Sequence, residues 1–180
     1  MHTMIDIETL GLSNNAVITE IGAVNFDYVT GGEIEIEGKL DLRISVANNL
    51  QNGRTVDAST LEWWAKQDPV KFAGFFDPKG KLSLYEAWRR ILDFLPYTPS
   101  LWCSHPEFDF GILKTSLPYG YAWPCPYQKH YDYASIRELY KGNRGRFTLP
   151  PYYPSHTAVE DAENQARRLC LMIHGLGLTL

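Results

Sequence analysis

Asp6 and Glu8, two residues apart, sit in the stretch MIDIETLGL, which begins at Met4 and otherwise reads as a first strand. Strand side chains alternate between faces, so both acids share one surface. Like charges that close repel, and the pair costs stability unless something positive sits between them, the commonest candidate being a divalent cation. A strand end that lets both acids reach water is the other reading. Further along, Asp109 stands at the start of a helical stretch just after a short apolar run, where strand ends commonly present functional groups. Asp161 lies on the final helical stretch, five residues after His156, which falls in the loop or first turn before it. Taken singly, Asp109 fits a helix cap, Asp161 a solvated helix residue and His156 a loop residue with no task. Together, four carboxylates and one histidine could converge.

The elements that must position them follow from the pattern. After the first strand, AVITEIGAVNF is β-branched and apolar, TGG breaks it, and EIEIEGKLDLRI alternates, placing Ile34, Ile36, Leu40, Leu42 and Ile44 on one face. Three strands result, the second and third joined by a hairpin-like turn, with Glu33, Glu35 and Glu37 on a solvated face. STLEWWAKQ and SLYEAWRRILDFL each open with Ser followed three residues later by Glu, the capping-box pattern of a helix start. SLWCS fits a buried strand, EFDFGILKTSL a helix starting near Asp109, and YDYASIRELY a strand-to-helix segment. Residues 117–125 and 143–154 are rich in proline, glycine and tyrosine and read as loops. In HTAVEDAENQARRLCLMIHGL, Ala158, Ala162, Ala166, Leu169 and Ile173 form a core stripe on a long helix ended by Gly175. Strands first, then helices alternating with strands, give an α/β domain with a mixed sheet.

Composition bounds the function classes. With 180 residues, 44% of them hydrophobic, the chain suits one domain over 1–180 with a substantial core. A net charge of -4 argues against a coat of basic charge for long-range nucleic-acid binding, but not against a local site that grips a strand through metal ions. Cys103, Cys125 and Cys170 are far apart with no C-x-x-C spacing, so a zinc ribbon or disulfide framework is not indicated. The N-terminal stretch carries acids within its first eight residues and no basic flank, so it does not read as a signal peptide, and no apolar run approaches bilayer length; a soluble cytoplasmic protein with no membrane partner is the expectation.

The ordered acids, D-I-E-T-L-G from Asp6 to Gly11, WCSHPEFDFGIL with Asp109, and H-x-x-x-x-D from His156 to Asp161, resemble the DEDDh exonucleases of the ribonuclease H-like superfamily. The superfamily's tyrosine branch would need Tyr at position 157, where Thr157 stands, so the histidine branch fits. RTVDASTLEWWAKQ is similar to the segment after the third strand in phage DexA-like exonucleases and related bacterial exoribonucleases. One departure is SHPEFD, where Ser104 and His105 replace an asparagine that many relatives carry. The resemblance implies a ribonuclease H-like mixed β-sheet flanked by helices.

It also implies a 3'-5' exonuclease acting on single-stranded DNA or RNA 3' ends and releasing nucleoside 5'-monophosphates with two Mg2+ or Mn2+ ions. In-line hydrolysis needs hard oxygen ligands that hold two ions roughly 3.5 to 4 Å apart. By resemblance Asp6 bridges the ions, Glu8 and Asp161 complete the water-activating site, Asp109 helps hold the leaving-group ion, and His156 is the general base, imidazole titrating near neutrality. Substrate contacts are expected from the backbone of Thr9 and Leu10, with Leu10 wedging against a base. Trp63 and Trp64 lie about 100° apart on a helix, so one faces the core and the other the site; Trp64 is assigned to substrate stacking, with a core place for both as the alternative. Arg54 and, in the glycine-containing loop with Lys141 and Arg146, Arg144 are candidate phosphate contacts, or merely solvated. An oligoribonuclease-like role, an inactive nucleic-acid-binding module and a polymerase-docked proofreading subunit are the competing functions. Relatives in this group often form dimers, and an aromatic content of 13% allows a homodimer interface.

Overall fold

The computed structural model describes residues 1–97, 100–142 and 149–180. Five strands, β1 (His2–Thr9), β2 (Ile18–Val29), β3 (Glu33–Arg43), β4 (Ser100–Cys103) and β5 (His130–Asp132), form one sheet in the order β3-β2-β1-β4-β5. β1, β2 and β3 pair antiparallel, as the β2–β3 hairpin signal requires, while β4 and β5 join parallel to β1. The helices are α1 (Val46–Gln51), α2 (Ala58–Gln67), α3 (Pro69–Gly74), α4 (Leu84–Phe94), α5 (Pro106–Thr115), α6 (Tyr133–Gly142) and α7 (Ala158–Leu176).

The period of two in β1 divides the molecule into layers. Ile5 and Ile7 point into one core with Ile21, Leu42, Trp88, Ile91, Phe110 and Leu113, under α4 and α5. Met4 points the other way into a second core with Val24, Phe26, Ala162, Ala166, Leu169 and Ile173, under α7. Asp6 and Glu8 therefore emerge on the α7 face, beyond the end of that core. A smaller cluster of Leu10, Val17, Val46, Trp64 and Phe75 joins the chain after β1 to α1, α2 and α3.

β3 departs from the simple alternation. Its register against β2 runs Asn25 to Gly38 and then Phe26 to Ile36, so Glu37 is an extra residue. A bulge of this kind inverts the side-chain parity beyond it. Ile34 and Ile36 accordingly pack with the α7 core, whereas Leu40, Leu42 and Ile44 pack with the α4 core, and the single apolar face expected from sequence is split between two layers. Glu33, Glu35 and Glu37 are exposed, as anticipated.

Helix ends show which local signals prevail. Ser83 and Glu86 form the expected capping box on α4. The parallel signal at Ser59 is not used: α2 starts at Ala58 with Asp57 as its N-cap, and the Asp57 carboxylate accepts from the Leu12 backbone N–H at 2.7 Å instead of capping its own helix. α5 begins at Pro106, a turn earlier than the sequence suggests, so Asp109 lies inside its first turn. α7 runs past Gly175 and stops at Gly177, whose left-handed φ of 71° closes it. The short α1 and α3 were not anticipated, although Ser45 and Asp68 cap them in the ordinary way and Pro69 opens α3. The three cysteines are buried. Among the described residues no helix is long and apolar enough to cross a membrane.

Candidate active site

Three elements from distant parts of the chain meet at the end of β1. β1 contributes Asp6 and Glu8, and α5 contributes Asp109, whose Oδ2 accepts from the His105 backbone N–H at 3.0 Å while its own N–H bonds back to the His105 carbonyl at 2.9 Å. The N-cap is His105, not Asp109 as one reading of the sequence had it; Asp109 sits in the first turn, braces the His105 N–H and faces the cleft as well. α7 contributes Asp161 and, one turn on, Gln165. Its start is seated on β2: the Ala158 backbone N–H donates to Glu20 Oε2 at 3.3 Å, and the helix backbone crosses directly over Gly22, the residue paired with Asp6 across the ladder. His156 precedes the helix in a left-handed conformation, φ 54°, the one non-glycine residue with positive φ among the described residues.

Asp6, Glu8, Asp109, His156 and Asp161 together line a cleft of about 300 Å³, with Phe108, Tyr133, Tyr152 and Gln165 among its walls. The carboxylates are fixed through single oxygens. Gln165 Nε2 donates to Asp6 Oδ1 at 2.8 Å, and both the Tyr152 hydroxyl and the Ser155 backbone N–H donate to Asp161 Oδ1 at 2.9 Å. Among the described residues the second oxygen of Asp6 and of Asp161 accepts no hydrogen bond and is left for another ligand. Gln165 Oε1 is buried without a partner among the described residues, a cost of about 1–3 kcal/mol that accompanies the bond from its Nε2 to Asp6.

The electrostatics are those of a site short of positive charge. Burial, followed by repulsion from Asp109 and Glu8, pushes the Asp6 carboxyl well above the usual carboxylate range. Burial raises Glu8 to about 8 against the pull of Lys71, with Glu20, Asp161 and Asp109 adding to the rise. Burial raises Asp109 to about 6 despite its backbone hydrogen bond. A divalent cation would relieve all three. The donor set suits one: hard carboxylate oxygens dominate, and ligand atoms of Glu8, His156 and Asp161 lie within 4.8 Å of one another.

A second, more apolar cleft of about 430 Å³ adjoins the first through Ile7, Glu8 and Phe108, and is walled by Thr9, Leu12, Ser59, Thr60, Trp63 and Trp64. It corrects several expected substrate contacts. Leu10 is fully buried, its N–H donates to the Val17 carbonyl and its carbonyl accepts from Asp57, so it can neither wedge nor bind a sugar; Leu12, 70% exposed, is the leucine at the cleft. Thr9 lines the cleft, but its carbonyl accepts from Trp64 Nε1 at 2.9 Å and its hydroxyl donates to the Gly11 carbonyl at 2.8 Å. Trp64 is 2% exposed and belongs to the core cluster, leaving Trp63, 40% exposed, as the indole open to solvent. Arg54 is buried, with its guanidinium on the carbonyls of Ala16, Asn14 and Ile112, and serves the fold rather than a phosphate. Arg144 and Arg146 lie outside the described residues.

Sequence reasoning missed Gln165, Tyr152, Glu20 and Lys71. Gln165 was findable, since it follows Asp161 by one helical turn and must share its face. Tyr152 sits in an irregular segment without periodicity, and Lys71 on a helix too short to show any.

The chain matches the 3'-5' exoribonuclease Rv2179c-like domain over residues 1–172. An exodeoxyribonuclease of Enterobacteria phage T4 is 26% identical in an alignment of 122 positions that covers 61% of this chain and 52% of the phage protein, so the match spans about half the length of that relative. The solved structure of exonuclease X in complex with 5' overhanging duplex DNA aligns with a TM-score of 0.57 at 19% identity, over 99% of this chain and 95% of that chain. The likeness is one of fold, a ribonuclease H-like mixed sheet flanked by helices.

Proposed function

The chain belongs to the family of 3'-5' exoribonuclease Rv2179c-like domains, and from that membership we propose that it is a metal-dependent 3'-5' exonuclease releasing nucleoside 5'-monophosphates from single-stranded nucleic acid. The observation that carries the reading is the convergence of Asp6, Glu8, Asp109, Asp161 and His156 on one cleft. Asp6, Glu8, Asp109 and Asp161 would hold two Mg2+ or Mn2+ ions, which when bound supply Lewis-acid polarisation of the scissile phosphate and a more acidic attacking water. Asp6 and Asp161 offer their unanchored oxygens, while Gln165, Tyr152 and Ser155 fix the carboxylate planes. His156 accepts the water's proton on an imidazole nitrogen as the phosphodiester is attacked, and the 3'-oxygen leaves on the opposite side of the phosphorus.

The adjoining apolar cleft receives the terminal nucleoside. Phe108 and Leu12 supply apolar walls, and the exposed face of Trp63 offers a stacking surface that accepts any base. Stacking needs an unpaired base, which favours single strands over duplex. The family is named for RNA cleavage and the phage relative for DNA cleavage, so both sugars belong in the test.

The experiment is a time course on matched 5'-labelled single-stranded DNA and RNA with Mg2+, Mn2+ or EDTA. Ladders shortening from the 3' end with metal, absent with EDTA and absent in the Asp6→Ala protein, are the expected result. Intact strands in every condition, with the metal still bound, would replace the enzyme by a nucleic-acid-binding module.

A further inference from the structure

Lys71, on α3, stands outside both clefts, yet its ammonium reaches into the loop that carries the proposed base. Nζ donates to the His156 carbonyl, to Thr157 Oγ1 at 3.2 Å and to Glu20 Oε2 at 3.1 Å. An ammonium has three N–H donors, and all three are engaged, so none is left for a phosphate or an attacking water. The same Glu20 oxygen accepts from the Ala158 N–H at the start of α7. Glu20 is 4% exposed and the Lys71 side chain 16%, which places this ion pair inside the protein rather than on its surface. The ammonium also lies 5.9 Å from the ring centroids of both Trp64 and Phe75, so it is held from the α2–α3 side too.

What the anchor holds is strained. A non-glycine residue at φ 54° is disfavoured and persists only where its surroundings over-determine it. Here the surroundings are Lys71 on the carbonyl and the edge of Trp63 on the ring, 5.1 Å from centroid to centroid at 85°. From these contacts we infer that Lys71 is a positioning residue for the hydrolytic reaction: by clamping the His156 carbonyl and Thr157 to Glu20, it fixes the left-handed turn that presents the His156 imidazole to the cleft. It touches neither metal nor substrate, and apart from its Coulombic pull on Glu8 it acts on the reaction through the His156 turn. The inference rests on the proposed nuclease reading for its kinetic half and on the geometry alone for its structural half.

Two measurements test it. The first is a double-mutant cycle in kcat between Lys71→Met and His156→Asn, asparagine being chosen because it tolerates the left-handed turn. Lys71→Met is expected to lower kcat on the order of tenfold or more, never beyond the loss in His156→Asn, with KM changed less than about twofold. In the His156→Asn background it is expected to change kcat by less than about twofold, because the group it positions is gone. An equal loss in both backgrounds would overturn the inference. Because Lys71→Met strands a buried carboxylate at Glu20, the Lys71→Met/Glu20→Gln protein is run beside it, keeping the Ala158 bond without the charge, and the same kinetics are expected.

The second readout needs no turnover. In the metal-free wild-type protein the His156 ring, its centroid 5.1 Å from that of the Trp63 indole, is expected to give nuclear Overhauser contacts to it, and in Lys71→Met these contacts are expected to weaken or vanish while those between Trp64 and Phe75 remain. Undiminished His156 to Trp63 contacts would refute the clamp whether or not the protein cleaves nucleic acid. A wild-type protein that leaves both labelled strands intact refutes the nuclease reading alone.

Discussion

The backbone of Ala158 rests on Gly22. A Cβ built on Gly22 would stand 2.1 Å from the Ala158 carbonyl carbon and 2.2 Å from the Val159 nitrogen, both main-chain atoms that no rotamer change can move. Gly22 faces Asp6 across the β1–β2 ladder, so the missing side chain is what lets α7 descend far enough to bring Asp161 and Gln165 over the strand carboxylates.

Gly22→Ala is therefore expected to lift the start of α7. Forced overpacking costs about 1–3 kcal/mol, which a thermal melt would register. The more specific expectation is weakened Mn2+ binding by calorimetry in the protein that remains folded. Unaltered Mn2+ affinity would mean that α7 accommodates the methyl without shifting Asp161.

Asp109→Asn separates stability from activity. The carboxyl sits at about 6 because burial disfavours its charge, and an amide oxygen can still accept from the His105 N–H. Hydrolysis is expected to fall on the order of 10²-fold or more, while at pH 8 in EDTA the variant melts no lower than the wild type. A clear loss of melting temperature in EDTA would show that the Asp109 charge stabilises the fold, contrary to its raised pKa.

Glu8 sets a pH dependence of the metal-free protein. Its pKa is raised from 4.5 to about 8, so below 4.5 both folded and unfolded chains hold the proton and no penalty arises. Between 4.5 and about 8 the unfolded chain releases the proton and the folded chain keeps it, so stability falls across that window and levels off above it. In EDTA the melting temperature is expected to drop from pH 5 to pH 8, and added Mg2+ or Mn2+ to raise it more at pH 8. A flat profile with an equal metal effect at both pH values would show that the carboxylates are not in conflict.

The adjacent tryptophans should behave oppositely. Trp64→Ala removes a side chain buried against Phe75 and Leu10 and is expected to cost about 3–5 kcal/mol. Trp63→Ala is expected to cost less, about 0.5–1.5 kcal/mol for its ring contacts with Trp64 and His156, to raise KM for single-stranded oligonucleotides and, through His156, to lower kcat. A denaturant titration and a steady-state assay on each protein check the pair.

The four acids proposed to hold metal were legible because each rests on a short, strong rule. Strand alternation places Asp6 and Glu8 on one face whatever the rest of the chain does, and apolar periodicity puts Asp109 and Asp161 on helices, although neither helix has a side-chain cap to mark its start. Beyond that, tertiary contacts overruled local pattern. Glu37 looks like any member of an alternating strand, and only its pairing partner reveals the bulge that divides β3 between two cores. Asp57 abandons its own helix for the Leu12 N–H, which leaves the capping pattern at Ser59 unused. Arg54 reads as a loop cation, yet the carbonyls that bury it come from residues 14, 16 and 112, a convergence no local window contains. Trp63 and Trp64 have the same composition and adjacent positions, and the choice between them depends on where Thr9 offers its carbonyl.

Asp6 and Gln165, joined by one hydrogen bond, are 159 residues apart in the chain. At about 5–20 residues per second of synthesis, roughly 8–30 s separates their appearance. The N-terminal carboxylates thus leave the ribosome long before the helix that supplies their partners, and they do so mutually repelling and without Asp161. A half-made chain carries the acids but no assembled centre, so the cleft cannot close around a cation until the helix that bears Asp161 and Gln165 has been made.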